Sequence, residues 1–217
     1  MTPAELAGRI DQTLLAPEAT RADVERFIDA ALAYPFATLC VPPCYVGLAA
    51  RKLRGSPAGV TTVAGFPLGY ATAGAKLFEA RTAADRGATE IDVVMNVSAF
   101  RSGEEGVVAD EISAIVRALP GVAVKVIIEA CYLTDAEKVR ACGIIASAGA
   151  AFVKTSTGYG PGGATASDVR LLRRACGRRL GVKAAGGIRT TAEAIAMIEA
   201  GADRIGTSAG VKIIEGL

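Results

Sequence analysis

The sequence predicts an α/β fold, a (β/α)8 TIM barrel in which eight parallel strands close into one sheet, with residues 1–217 forming a single domain. Three observations carry this expectation. Eight short apolar, β-branched runs alternate with helical patterns along the chain. A glycine-alanine phrase recurs at Gly87-Ala88-Thr89-Glu90-Ile91, Gly149-Ala150-Ala151-Phe152-Val153 and Gly201-Ala202-Asp203-Arg204-Ile205, each time reading as a helix-ending glycine followed by a strand. Five pairs match the S/T-x-x-D/E pattern that caps a helix N-terminus: Thr20 with Asp23, Ser102 with Glu105, Thr134 with Glu137, Thr165 with Asp168 and Thr190 with Glu193. An open doubly wound sheet ranks second, because no G-x-G-x-x-G follows the first strand and eight repeats in 217 residues suit closure.

Taken in order, the run 13–15 is read as strand one, and the cap at Thr20 leads into a helical pattern over 24–33. Strand two covers 37–41. Strand three, 60–64, lies inside the segment 55–75, which carries no charge but holds five glycines and two prolines. That content suits a strand and a ligand-facing loop rather than a membrane-spanning helix. A helix over 74–86 then leads to strand four at 91–94, and Ser102 introduces the helix over 107–119. Strand five, 123–128, is followed from Thr134 by the helix over 136–148. Strand six, 152–154, ends in a lysine, three hydroxyl residues and a glycine-rich turn, with a helix over 167–176 beyond. Strand seven, 182–184, precedes the helix over 192–200, and strand eight covers 204–206.

Composition narrows the function classes. The chain is 51% hydrophobic with a mean hydropathy of +0.37, enough apolar content for one sizeable core. A formal net charge of +2 without a basic run gives no reason to expect nucleic acid or a membrane surface as partner. The N-terminus has charges from Glu5 onward and no apolar stretch of a secretory signal, and the five cysteines form no C-x-x-C pair. A reducing cytoplasm is the expected setting, with a homo-oligomer, dimer or tetramer, as the expected assembly. Histidine is absent altogether, which removes the commonest general base and the usual nitrogen ligand of zinc. No metal or cofactor is expected.

In a barrel of this kind the chemistry sits at the C-terminal ends of the strands, and those ends are polar here. The chain has 17 arginines and only 7 lysines, yet its strands carry Lys125, Lys154 and Lys183 in apolar company. Lysine, unlike arginine, can give up its proton and become a nucleophile. A free lysine of pKa ~10.4 is neutral at pH 7 about once in 2,500, and a shift to ~7–8 raises that to between roughly a tenth and a half. Lys154 and Lys183 end adjacent strands, where each is expected to depress the other, and Asp92 on strand four can exchange protons with whatever the amine binds. Taken singly, each of these residues reads equally well as half of a structural ion pair, Lys125 with Glu129 or Asp92 for example. Two glycine-bearing loops, Gly186-Gly187-Ile188-Arg189 and Gly206-Thr207-Ser208, follow strands seven and eight, where phosphate sites of this fold often form.

The segments Ile10-Asp11-Gln12-Thr13-Leu14-Leu15, Gly65-Phe66-Pro67-Leu68-Gly69, Glu90-Ile91-Asp92-Val93-Val94 and Lys125-Val126-Ile127-Ile128-Glu129 resemble the deoxyribose-phosphate aldolase family. So do Lys154-Thr155-Ser156-Thr157-Gly158 and Lys183-Ala184-Ala185-Gly186-Gly187-Ile188-Arg189, so that the resemblance runs nearly end to end. It implies a metal-independent, reversible cleavage of 2-deoxy-D-ribose 5-phosphate to D-glyceraldehyde 3-phosphate and acetaldehyde through an imine. It also implies Lys154 as the Schiff-base lysine, Lys183 as the cation that lowers its pKa, and Asp92 as the proton shuttle. Asp11 and Thr13 would hold a relay water, and Gly158, Gly186, Gly187, Arg189, Gly206 and Ser208 would line the phosphate site. Two positions depart from the family: Gln12 stands where many members have histidine and Ala16 where many have lysine. Another imine-forming aldolase, a sugar-phosphate isomerase on the same barrel and a non-catalytic phosphate-binding oligomer remain as alternatives.

Overall fold

The computed structural model describes all residues, 1–217, and forms one closed barrel whose strands are hydrogen-bonded in chain order, the eighth pairing with the first. All pairings are parallel. The strands are β1 (Ile10–Thr13), β2 (Thr38–Cys40), β3 (Gly59–Ala64), β4 (Glu90–Val94), β5 (Ala123–Ile127), β6 (Phe152–Lys154), β7 (Gly181–Ala185) and β8 (Arg204–Thr207). Crossover helices α2 (Arg21–Ala31), α3 (Val46–Lys52), α4 (Ala73–Asp85), α6 (Glu105–Ala118), α7 (Asp135–Ser147), α8 (Ala166–Cys176) and α9 (Thr191–Glu199) surround them. Short helices α1 (Pro3–Ala7), α5 (Val97–Arg101) and α10 (Gly210–Glu215) complete the chain.

Side chains that point outward from the strands, such as Ile10, Ile91, Val93, Val126, Val153, Val182 and Ile205, are buried against the helices and form one apolar layer with them. The inward positions are different. Asp11, Asp92, Lys125, Lys154 and Lys183 all lie within the barrel, almost wholly out of water. The parallel register sets Lys154 opposite Lys183, Asp92 opposite Lys125, and Asp11 between Thr38 and Gly206.

Two expectations need correction. Strand one spans Ile10–Thr13 rather than 13–15, because its inward positions are polar and break the apolar run that marks a strand. Asp11 therefore sits inside the barrel and not at its mouth. Ser102 does not cap α6: its Oγ donates to the Ser98 carbonyl and closes α5, while the α6 N-cap, Glu104, makes no side-chain bond. The other four predicted caps accept the expected backbone amide. Gly87, Gly149 and Gly201 all have positive φ at the helix-to-strand corners. The loop after β3 rims a separate cavity of about 100 Å³ through Pro67 and Leu68. No helix is long and apolar enough to cross a membrane.

Candidate active site

At the C-terminal mouth a cavity of about 310 Å³ brings together the loops that follow β1, β6, β7 and β8. Lys154 reaches it, as do Thr13, Gly158, Gly186, Gly187, Arg189, Gly206 and Ser208. Asp11, Asp92 and Lys183 do not line it; they lie beneath its floor. Thr155 ties the β6 and β7 ends together, donating to the Ala185 carbonyl and accepting from the Ala185 amide, both at 3.1 Å.

The glycines of the mouth have structural causes. Gly186 has φ +90°, a conformation that disfavours any Cβ, and a Cβ there would fall 3.1 Å from the Gly163 Cα and 3.5 Å from the Gly158 Cα, so the β6 and β7 loops meet backbone to backbone. At Gly206 a Cβ would fall 3.0 Å from the Lys183 Cε atom, so a larger residue there would crowd that lysine. The Gly187 and Ser208 amides have no acceptor elsewhere in the chain, which leaves two N–H groups for an anion.

Beneath the floor runs a column of charge. Asp92 Oδ2 accepts from Lys154 and Lys183, each at 2.7 Å, and its Oδ1 accepts from Lys125 at 2.8 Å. Lys183 also donates to Asp11, which pairs in turn with Arg204, and Lys125 reaches Glu90 at 2.6 Å. Lys154, Lys183, Lys125 and Arg204 thus face Asp92, Asp11 and Glu90. The column is neutral when one of its four cations is uncharged.

Of the four, Lys154 alone is shifted toward its neutral form. Burial pulls its pKa below the ordinary lysine range; Asp92 opposes the shift, and the positive charge of Lys183 adds to it. Burial acts on Lys183 as well, but Asp11 and Asp92 outweigh it and hold this lysine above its usual range. The expected mutual depression is therefore one-sided, because Lys183 touches two carboxylates and Lys154 only one. Burial would raise Asp92, yet Lys125, Lys154 and Lys183 keep it well below the carboxylate range. Asp11 is depressed in the same way against its own burial, by Lys183, Lys125 and Arg204. Nearby on β2, burial and then Asp92 push the Cys40 thiol up to about 11, which keeps it protonated.

A family model described as DeoC/LacD family aldolase matches residues 6–216. The chain belongs to that family. Among DeoC/LacD relatives, the deoxyribose-phosphate aldolase of Thermoanaerobacter sp. (strain X514) is 53% identical over 213 residues, covering 97% of this chain and 96% of the relative. That of Bacillus subtilis (strain 168) is 51% identical over 212 residues, covering 97% and 95%. A solved structure described as the unique tetrameric structure of deoxyribose phosphate aldolase from Aeropyrum pernix superposes with a TM-score of 0.93 at 39% identity, covering 99% of this chain and 91% of that one.

Sequence reasoning missed several neighbours of this DeoC/LacD site. Tyr159 lines the cavity and donates its hydroxyl to the Leu15 carbonyl at 2.7 Å, joining the β6 loop to the β1 loop. It lies one residue past the lysine motif, and only the tertiary contact reveals it. Glu129 does not pair with Lys125; with left-handed φ of 46° it turns to the β6 loop and accepts from the Thr157 amide at 3.1 Å. Thr13 borders the cavity, but its hydroxyl donates to the Asp11 carbonyl at 2.9 Å.

Proposed function

We propose that this chain is a deoxyribose-phosphate aldolase, a class I lyase that reversibly cleaves 2-deoxy-D-ribose 5-phosphate to D-glyceraldehyde 3-phosphate and acetaldehyde. The observation that carries this reading is one lysine of lowered pKa, Lys154, on the floor of a cavity whose wall is two glycine-bearing loops with free amides.

Neutral Lys154 adds to the C1 aldehyde of the open-chain sugar, and loss of water leaves a protonated imine. Removal of the proton on the C3 hydroxyl then breaks the C2–C3 bond. The electron pair of that bond moves into the imine, forming an enamine and releasing glyceraldehyde 3-phosphate. Protonation of the enamine at C2 and hydrolysis of the imine release acetaldehyde and restore the amine. The proton steps run through water assisted by Asp92, 2.7 Å from the reacting nitrogen. Its low basicity suits passing a proton on rather than keeping it, and its negative charge stabilises the imine cation. Lys183 supplies the cation beside Lys154, and Asp11 acts through Lys183. Thr13, on the cavity wall, helps hold the relay water. Gly158, Gly186, Gly187, Arg189, Gly206 and Ser208 hold the phosphate, with Arg189 as the cation at the rim.

The working form is a homo-oligomer, dimer or tetramer; the tetrameric relative from Aeropyrum pernix and the exposed Leu68, Tyr70 and Phe78 support this. Five free thiols fit a reducing cytoplasm.

The test is chemical. Borohydride reduction in the presence of acetaldehyde, followed by peptide mass mapping, is expected to place one ethyl group on Lys154. A label on Lys183 alone would overturn the assignment.

A further inference from the structure

Gln12 is almost wholly buried, and it does not line the cavity. It lies on β1, at the seam with β8, and its side chain turns to the backbone just after β8. Its Oε1 accepts from the Gly210 amide at 2.8 Å, and its Nε2 donates to the Ser208 carbonyl at 3.4 Å. A Cβ on Gly210 would fall 2.4 Å from Oε1, so the approach of this amide depends on a glycine there. Thr207 holds the same turn from the other side, accepting from the Ala209 amide at 3.0 Å and donating to the Ile188 carbonyl at 2.6 Å. The two side chains together fix both peptide units after Ser208.

From this geometry we propose that Gln12 is a positioning residue for the phosphate of the substrate, and so a determinant of the preference for phosphorylated sugars. The inference rests on the reading of Gly206 and Ser208 as phosphate contacts. A carbonyl turned toward a dianion repels it, and an amide turned toward it attracts it. By engaging the Ser208 carbonyl and the Gly210 amide, Gln12 fixes which way the turn faces, and leaves the Ser208 amide and hydroxyl to the cavity. An apolar side chain of the same size fills the space but holds neither group. A glutamate accepts from Gly210 but sets a carboxylate against the Ser208 carbonyl.

The experiment compares Gln12→Met and Gln12→Glu with the wild type on deoxyribose 5-phosphate and on unphosphorylated deoxyribose, with inorganic phosphate as competitive inhibitor. In both variants KM for the phosphorylated sugar and the inhibition constant of phosphate are expected to rise together, by about tenfold in Gln12→Glu, the worth of one lost hydrogen bond, and by at least that in Gln12→Met, which loses both. The ratio of kcat/KM between the two sugars falls by the same factor. Melting temperatures show which variant remains folded, and Gln12→Glu, which keeps one bond, serves if Gln12→Met does not. If kcat/KM falls equally for both sugars, or KM does not move, Gln12 merely supports the barrel and the inference is wrong. Ser208→Asp is measured alongside: discrimination lost there but kept in both Gln12 variants refutes the role of Gln12 alone. If it is kept in all three, the phosphate reading itself has failed.

Discussion

Replacing Lys183 with methionine tests the electrical part of the site. The two lysine nitrogens share one oxygen of Asp92 at 2.7 Å each, so they lie no more than twice that distance apart. At about 5 Å and an effective dielectric constant of about 20, two unit charges repel by about 3 kcal/mol, or about two pKa units. Removing Lys183 therefore raises the pKa of Lys154, and the freed share of Asp92 pulls in the same direction. The reactive form is the neutral amine, so the acid limb of kcat/KM is expected to move up by about two pH units. At a fixed pH on that limb the rate falls about a hundredfold. Asp11 keeps Lys125 and Arg204 as partners, and methionine keeps the volume, so the barrel remains folded. The assay is kcat/KM for deoxyribose 5-phosphate against pH, with Lys183→Arg as control: arginine keeps the charge, and its limb should stay near the wild-type position. A Lys183→Met profile of unchanged shape with a lower plateau would refute the reasoning, since it would mean that Lys183 acts otherwise than through its field.

Two further predictions follow the same geometry. Ser208→Asp sets a carboxylate on the cavity wall where we propose that the dianion binds, and should lower kcat/KM for deoxyribose 5-phosphate by about 30- to 1,000-fold, or about 2–4 kcal/mol, from repulsion and a lost donor. Unphosphorylated deoxyribose should lose far less, and an equal loss on both sugars would show a damaged fold. Asp11 and Asp92 have folded pKa values below their unfolded value of about 3.9, so the stability they contribute is present above that pH and is lost as pH falls toward their folded values. Urea unfolding at pH 5, 4 and 3 should show a decline reaching up to about 2.7 kcal/mol per pH unit below pH 4, and equal stability at pH 4 and 3 would contradict it.

What the sequence reveals of this molecule follows from which features leave a local mark. A glycine at a helix-to-strand corner, a threonine three residues before a carboxylate and a lysine in an apolar run are all visible within a few residues. Seven of the eight strands, four of the caps and the cavity loops could therefore be read directly, whereas the polar inward positions of strand one hid it. Ion partners leave no such mark: Asp11 meets Lys183 at a sequence separation of 172, and Arg204 meets Asp11 at one of 193. The one-sided depression of Lys154 depends on those pairings and only emerges with the barrel closed. Helices α1, α3, α5 and α10, of five to seven residues, are too short for a periodic pattern to stand out. Gln12 looked like a simple departure from a family pattern, and its two backbone partners became apparent only across the β1–β8 seam.

The charged column is divided unevenly along the chain. Its three carboxylates, Asp11, Glu90 and Asp92, stand on β1 and β4, and its four cations, Lys125, Lys154, Lys183 and Arg204, on β5 to β8. The first four strands thus form an acidic half-barrel and the last four a basic one, neither able to neutralise its own interior. Two copies of the same half placed face to face would bury like charges together, which costs several kcal/mol per ion. Only the unlike halves fit, so the lysine chemistry also bars two copies of the same half from pairing with each other.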